Sequence, residues 1–262
     1  MTEPAAARIT LGYSTTADRV RDVAPPPEDR RLAVVVSVQN PSEIDWRSTL
    51  PEALAARDDV TFLEQVAWGV VKSRNLVLDS TTNEYLLFAD DDVEFDWPGI
   101  LEAVALLDAD PDADMLLAAA RDEHGRLRKA YPTSVVPLTL RNSGKAATYE
   151  MLVRVPAVRA RGIRFDERFG AGAVNYLGDE YIFCADLLRA GGRGLHGPVV
   201  VAMHPDDSSG SRWGTDADRR ARAVIFDRVF GWKAPAVRMA FGLRHRSDLG
   251  GLGGALRFTL GR

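Results

Sequence analysis

The sequence holds a single cysteine, Cys184, among 262 residues. That excludes an internal disulfide framework and a cysteine-built zinc cage, since both need several sulfurs at set spacings. Long hydrophobic runs are missing too. The longest, such as Leu32 to Val36, fall far short of the roughly 20 apolar residues that a bilayer-spanning helix needs. The opening stretch Met1 to Arg8 has no apolar core, so no signal peptide is expected and a cytoplasmic chain is the default. Neither sign of charge dominates: the formal net charge is −4, which argues against a nucleic-acid partner. Repeats and low-complexity tracts are absent as well. What remains, 46% apolar and 27% charged, is ordinary globular composition, and 262 residues are enough for one large α/β domain or one domain with an appendage.

The most informative stretch is Tyr85-Leu86-Leu87-Phe88-Ala89-Asp90-Asp91-Asp92-Val93, an apolar run that empties into three carboxylates. Leu86, Leu87 and Phe88 lack polar alternation, which predicts a strand buried on both faces. Adjacent carboxylates repel one another, so solvent or a divalent cation must neutralise them. In an extended segment Asp90 and Asp92 point one way and Asp91 the other. Open α/β sheets bind ligands beyond the carboxyl ends of their strands, where these residues fall. A divalent-cation site and a solvated acidic turn both fit the triplet taken alone.

Around it the chain alternates strands and helices. Ile9 to Tyr13 reads as a first strand whose exit loop carries Ser14, Thr15 and Thr16. Pro25-Pro26-Pro27 predicts a surface connection. Leu32 to Val38 is the clearest strand, ending at the polar tip Gln39-Asn40-Pro41. Val60 to Leu63 precedes a helix expected over Glu64 to Asp79 from the spacing of Val66, Val70 and Val77. After the triplet, Pro98 opens a helix with an apolar face of Ile100, Leu101, Val104 and Leu107. Met115 to Ala119, Thr148 to Val153 and Val199 to Met203 read as further strands, and Leu127 to Leu140 as irregular or an edge ribbon. The alternation predicts a mostly parallel sheet flanked by helices.

A second dense region is FDERFGAGAVNYLGDEYIFCADLLRAGG, residues 165 to 192. Gly170 and Gly172 mark a flexible loop, and Gly178-Asp179-Glu180 opens a helix with Phe183, Leu187 and Ala190 as its stripe. Acidic residues in a first turn can serve the helix dipole alone. A carboxylate pair behind a glycine-rich loop is also how a cavity acquires a general base. His204 follows the last strand, as a solvated side chain or a metal ligand. Further on, Asp216 or Asp218 starts a helix carrying Ala221, Val224, Ile225 and Val229. From Gly231 the chain is basic and glycine-rich, with Trp232, Met239, Phe241 and Phe258 among Lys233, Arg238, Arg244, Arg246 and Arg257. Such a segment either packs on the domain or lies on an anionic membrane surface.

Taken together, the polar tip after the first strand, Lys72-Ser73-Arg74-Asn75, the Asp90-Asp91-Asp92 triplet and the Gly178-Asp179-Glu180 helix start resemble a family 2-type glycosyltransferase of GT-A fold. The order and approximate spacing of these elements cover residues 9 to about 204. The resemblance implies a Rossmann-like GT-A domain over residues 1–215 with a helical, basic extension over 216–262. It implies an inverting, metal-dependent glycosyltransferase of the hexosyltransferase type. The donor would be a nucleotide diphosphate sugar and the acceptor a carbohydrate or a lipid-linked hydroxyl. Asp92 would bind Mn²⁺ or Mg²⁺, with Asp90 near the ribose or the metal, and His204 as a further metal ligand. Ser14, Thr15, Arg74 and Asp91 would hold the nucleotide sugar. Glu180 would be the catalytic base, Asp179 would position the acceptor or share that task, and Gly170, Gly172 and Gly178 would shape the acceptor loop.

One departure from the family pattern is clear. At the second strand's tip, where the family often has an aspartate that reads the nucleobase, stand Gln39 and Asn40. An amide both donates and accepts, so base recognition by these two stays open, and so does the identity of the base, uridine included. Two other readings remain open: a metal-dependent nucleotidyltransferase, and a non-catalytic nucleotide-sugar binding protein. The first wants a basic, glycine-rich phosphate loop, and residues 12 to 19 supply only Gly12 and Arg19.

Overall fold

Leu32 to Val38 is the most β-branched stretch of the chain, and it forms a strand, β2 (Leu32–Gln39). The computed structural model describes residues 7–205 and 215–261, so most of the N-terminal reading, residues 1–6, lies outside the described residues. β2 pairs in parallel with β1 (Ile9–Thr16), which pairs in parallel with β4 (Tyr85–Asp90); β3 (Val60–Gln65) joins β2 on the outside, again parallel. The sheet continues past β4 through β8 (Met151–Arg154), β6 (Met115–Arg121), β9 (Gly194–Met203) and the short β5 (Glu94–Phe95), with β7 (Val136–Pro137) also on β9. β8 runs antiparallel to both β4 and β6, so the parallel half expected from the strand–helix alternation is followed by a mixed half.

Alternation along the strands sorts the core into two faces. Leu11, Tyr13, Val34, Val36, Leu87 and Ala89 pack toward α1 (Glu52–Ala55) and α3 (Trp97–Ala109). Val35, Leu86 and Phe88 pack toward α2 (Val70–Ser80), α4 (Val155–Ala160) and α5 (Asp179–Arg189). Residues 85 to 89 are at most 1% exposed, as expected for a strand covered on both sides. Gly12 lets α2 come this close: a Cβ there would stand 2.2 Å from Val77 Cγ1. The C-terminal extension is helical: α6 (Asp216–Phe230), α7 (Ala234–Arg244) and α8 (Gly251–Thr259). Thr215 caps α6 by accepting from the Asp218 amide, while Asp218 accepts from the Thr215 amide in return.

Several boundaries differ from the sequence reading. α2 begins at Val70, not Glu64, because Glu64 and Gln65 are drawn into the ladder with β2 and Gly69 turns the chain at φ +128°. Val66 accordingly sits outside the helix and is exposed. Ser14, Thr15 and Thr16 belong to β1 itself rather than to its exit loop. Thr148 to Glu150 form a single 3₁₀ turn, so β8 starts only at Met151. Ala190 falls just past the end of α5 and is exposed. Cys184 is buried on α5, as a small hydrophobe.

Candidate active site

The parallel half of the sheet brings the ends of β1, β2 and β4 to one edge, with Ser14 paired to both Ser37 and Asp90. Strand alternation then divides the acidic triplet. Asp90 turns to the α2 face, where its Oδ1 accepts from the Arg74 guanidinium at 3.1 Å. Asp91 turns to the opposite face and is 8% exposed, accepting from the Thr15 hydroxyl and pairing with Arg19, each at 2.5 Å. Burial, helped by the charges of Asp92 and Asp90, pushes the Asp91 carboxyl up to about 6 against Thr15 and Arg19. Asp92 lies past the strand end, half-exposed, with Arg19 at 3.4 Å and His204 Nε2 at 3.5 Å.

His204 is held on every side. Its ring stacks on Tyr149 at a centroid distance of 5.0 Å, and its backbone amide donates to the Arg121 carbonyl. Arg128 donates to the carbonyls of His204 and Pro205. Nδ1 lies 2.6 Å from the Pro205 carbonyl and 2.8 Å from the Arg128 guanidinium, and Nε2 faces Asp92. An imidazole nitrogen and a carboxylate oxygen 3.5 Å apart suit a divalent ion at bonds of about 2.0–2.2 Å to each. Among the described residues no third His, Cys, Asp or Glu completes a cage. That fits an ion which also takes water and substrate phosphate oxygens. The residues present therefore fit Mn²⁺ or Mg²⁺ held by Asp92 and His204.

Arg74 joins the two dense regions of the sequence. It sits on α2, 5% exposed, and its guanidinium reaches Asp90 at 3.1 Å, Asp179 at 2.5 Å and Glu180 at 3.5 Å. Burial opposes its charge, but these three carboxylates outweigh burial and hold the guanidinium above its ordinary value. The next residue, Asn75, trades two hydrogen bonds with the Phe165 backbone and so ties α2 to the segment leading into α5. Gly178 takes a left-handed conformation (φ +90°) at the start of α5, where a Cβ would meet Ile225 of α6 at 2.4 Å. Glycine there puts Asp179 and Glu180 in the first turn. Burial and the Asp179 charge hold the Glu180 carboxyl well above the usual carboxylate range; Arg74 and the Thr148 hydroxyl, donating at 2.8 Å, pull the other way.

Gly170 and Gly172 bring their loop against α2, the first beside Val71 and Asp179 and the second beside Trp68. The Ala171 carbonyl accepts from the Val70 amide. Two of the residues named from sequence are otherwise engaged. Gln39 accepts from the Gly69 amide at 2.9 Å, and Asn40 exchanges hydrogen bonds with the Ile44 backbone and donates to Glu64, so both amides are committed to structure. Ser14 is buried beside Asp90 in the ladder, and its hydroxyl has no hydrogen-bond partner among the described residues. Arg128, Thr148 and Tyr149 are drawn into the site; the sequence marked Lys145 to Tyr149 only as a loop bearing on acceptor recognition, and Arg128 not at all. Thr148 and Tyr149 sat inside an expected strand, and Arg128 in a stretch without periodicity. Arg19 was visible only as a nearby basic residue. On the Asp91 side a cavity of about 560 Å³ opens between the Pro25–Pro27 turn and the triplet.

No protein-family model matches the sequence, and no curated relative does. Solved structures match along nearly the whole chain. S. aureus TarS 1–349 in complex with UDP is 16% identical, with a TM-score of 0.55 over 92% of this chain and 72% of that one. The same protein in complex with UDP-GlcNAc gives 14% and 0.57 over 96% and 81%. The mannosyltransferase PcManGT from Pyrobaculum calidifontis, in complex with GDP-Man and Mn²⁺, gives 18% and 0.56 over 98% and 75%. At such identities the likeness establishes architecture: the chain has the GT-A fold of nucleotide-sugar glycosyltransferases.

Proposed function

We propose that the protein transfers a sugar, a hexosyl group, from a nucleotide diphosphate sugar to an acceptor hydroxyl with inversion at the anomeric carbon. The observation that carries this reading is the single Arg74 guanidinium within 3.5 Å of Asp90, Asp179 and Glu180. The carboxylate that ends β4 and the two that open α5 thus share one guanidinium, which supports a common site for them. Solved proteins of the same fold hold UDP, UDP-GlcNAc and GDP-Man, and one of them holds Mn²⁺.

In this reading Glu180 accepts the acceptor's hydroxyl proton as the oxygen forms its bond to the anomeric carbon. The bond from that carbon to the diphosphate breaks, and its electron pair leaves with the phosphate oxygen. Asp179, fixed by Arg74, orients the acceptor, and Gly170, Gly172 and Gly178 set the loop that admits it. Thr15, Asp90 and Asp91 shape the nucleotide-sugar pocket, and Arg74 and Arg19 supply positive charge near the leaving group. A divalent cation on Asp92 and His204 would supply the counter-charge for the departing diphosphate, the imidazole favouring Mn²⁺. Gln39 and Asn40, with their amides engaged, support the β2 tip rather than read the base.

The test is Glu180→Gln. Transfer to an acceptor panel falls by about 10²–10⁴-fold, the share of a positioned base, while calorimetric affinity for UDP or GDP with Mn²⁺ stays within about twofold. Equal loss of binding and transfer would remove Glu180 from the role of base. Tight, Mn²⁺-dependent binding with no transfer or hydrolysis of UDP- or GDP-sugars by the wild type would instead support the non-catalytic binder.

A further inference from the structure

Helix α8 carries apolar residues on two opposite faces, and only one of them is packed. Gly254, Ala255 and Phe258 pack inward against Ala223, Leu249, Phe226 and Phe241. On the opposite side Leu252, Leu256 and Leu260 recur every fourth residue and are 71%, 61% and 58% exposed. The neighbouring α7 repeats the pattern, with Met239 and Leu243 four apart and each more than half exposed. Trp232 stands 87% exposed just before it, with Lys233 over its ring. A helix with a second apolar face needs something to cover it.

The charges around these leucines indicate what does. Lys233, Arg244, Arg246 and Arg257 are all exposed, and Asp248 is the one acidic residue after position 230. Beside the α8 stripe a shallow depression of about 330 Å³ is lined by Arg220 and Arg257, with Asp216 and Gly261. A second copy of the chain docking on itself would set this basic belt against an identical one. An anionic bilayer surface complements both features, accepting leucines and tryptophan at the acyl boundary and phosphates at the arginines. Among the described residues no helix is long and apolar enough to cross a membrane, so the contact is along the surface.

We propose that α7 and α8 form a peripheral docking surface for membranes rich in anionic phospholipid, with Leu252, Leu256 and Leu260 as the inserted stripe and Arg220 and Arg257 as the headgroup contacts. The proposal stands apart from the sugar-transfer reading, because binding is read without turnover.

The full chain is sedimented with vesicles of equimolar phosphatidylglycerol and phosphatidylcholine, and with vesicles of phosphatidylcholine alone. Binding to the first is expected to exceed binding to the second by at least about tenfold and to weaken as salt rises from 0.1 to 0.5 M. Leu252→Ser with Leu256→Ser lowers partitioning by roughly tenfold or more, each leucine having lost its apolar burial. Arg220→Glu with Arg257→Glu removes the preference for the anionic vesicles. All four positions are exposed, so circular dichroism and the melting midpoint stay at wild-type values. Wild-type protein left in the supernatant with anionic vesicles would overturn the proposal, as would a serine variant that partitions like wild type. So would a dimer in solution that the serine pair dissolves, since the stripe would then be covered by a second copy.

Discussion

A carboxylate that serves as a base near neutral pH must be basic enough to take a proton and still be ionised when substrate arrives. At Glu180 these demands are set by opposing neighbours. Burial and Asp179 raise its proton affinity, while Arg74 and the Thr148 hydroxyl favour the charged form. On the proposed mechanism only the ionised form is active. The acid limb of kcat/KM is therefore expected to rise with pH through a midpoint displaced upward from the ordinary glutamate value. Thr148→Val removes one hydrogen bond to the carboxylate and leaves the shape of the side chain nearly unchanged. A hydrogen bond to the charged form lowers a carboxyl pKa, so its loss moves the midpoint further up. Activity in the variant should thus fall most at acid pH and recover as pH rises. A uniform loss at every pH would mean that Thr148 only braces the turn.

At the scale of elements, β9 carries a buried titratable group outside the site. His196 faces the sheet interior, 6% exposed, and neither ring nitrogen has a hydrogen-bond partner among the described residues. Burial, with Lys129 nearby, pulls its pKa from 6.5 down to about 4. A depressed histidine contributes stability that is present above pH 6.5 and is lost as pH falls toward 4, because the unfolded chain takes up the proton first. The full difference is on the order of 3 kcal/mol. His196→Leu should therefore gain on the wild type in urea midpoints taken from pH 7 to pH 4. A constant offset across that range would show that the imidazole is not held neutral.

The strands that could be read from sequence are those whose side chains face the core on both sides, since burial alone dictates residues 34 to 38 and 85 to 89. The two acid clusters could be read as well, because clustered carboxylates need a reason. The antiparallel insertion of β8 could not, since Met151 to Arg154 carries no mark of direction. The start of α2 was also hidden: Val66 keeps the helical spacing, but the pairing of β3 with β2 decides the boundary. Nor does sequence reveal that one arginine bridges both clusters, which depends on α2 and α5 lying on the same face of the sheet.

For the whole molecule, the question is whether the segment after residue 215 stands as a unit of its own. Ile225 and Val229 of α6 share a buried cluster with Phe169, Ile182 and Ala185. Arg228 grips Asp186 of α5 with two hydrogen bonds, at 3.0 and 2.6 Å, and Asp166 with a third at 2.8 Å. Two carboxylates and a bidentate fork at a partly buried junction bind more firmly than a surface pair. We therefore expect residues 216–262 to unfold together with the preceding domain, in one calorimetric transition whose van't Hoff and measured enthalpies agree. Arg228→Ala should lower stability by about 1–3 kcal/mol and leave that single transition intact, since the apolar cluster still joins α5 to α6. Two separated transitions in the wild type would make the extension an independent body. The helix that bears Asp179 and Glu180 would then be braced by the sheet alone, and Arg228→Ala would leave the first turn of α5, and any transfer activity, untouched.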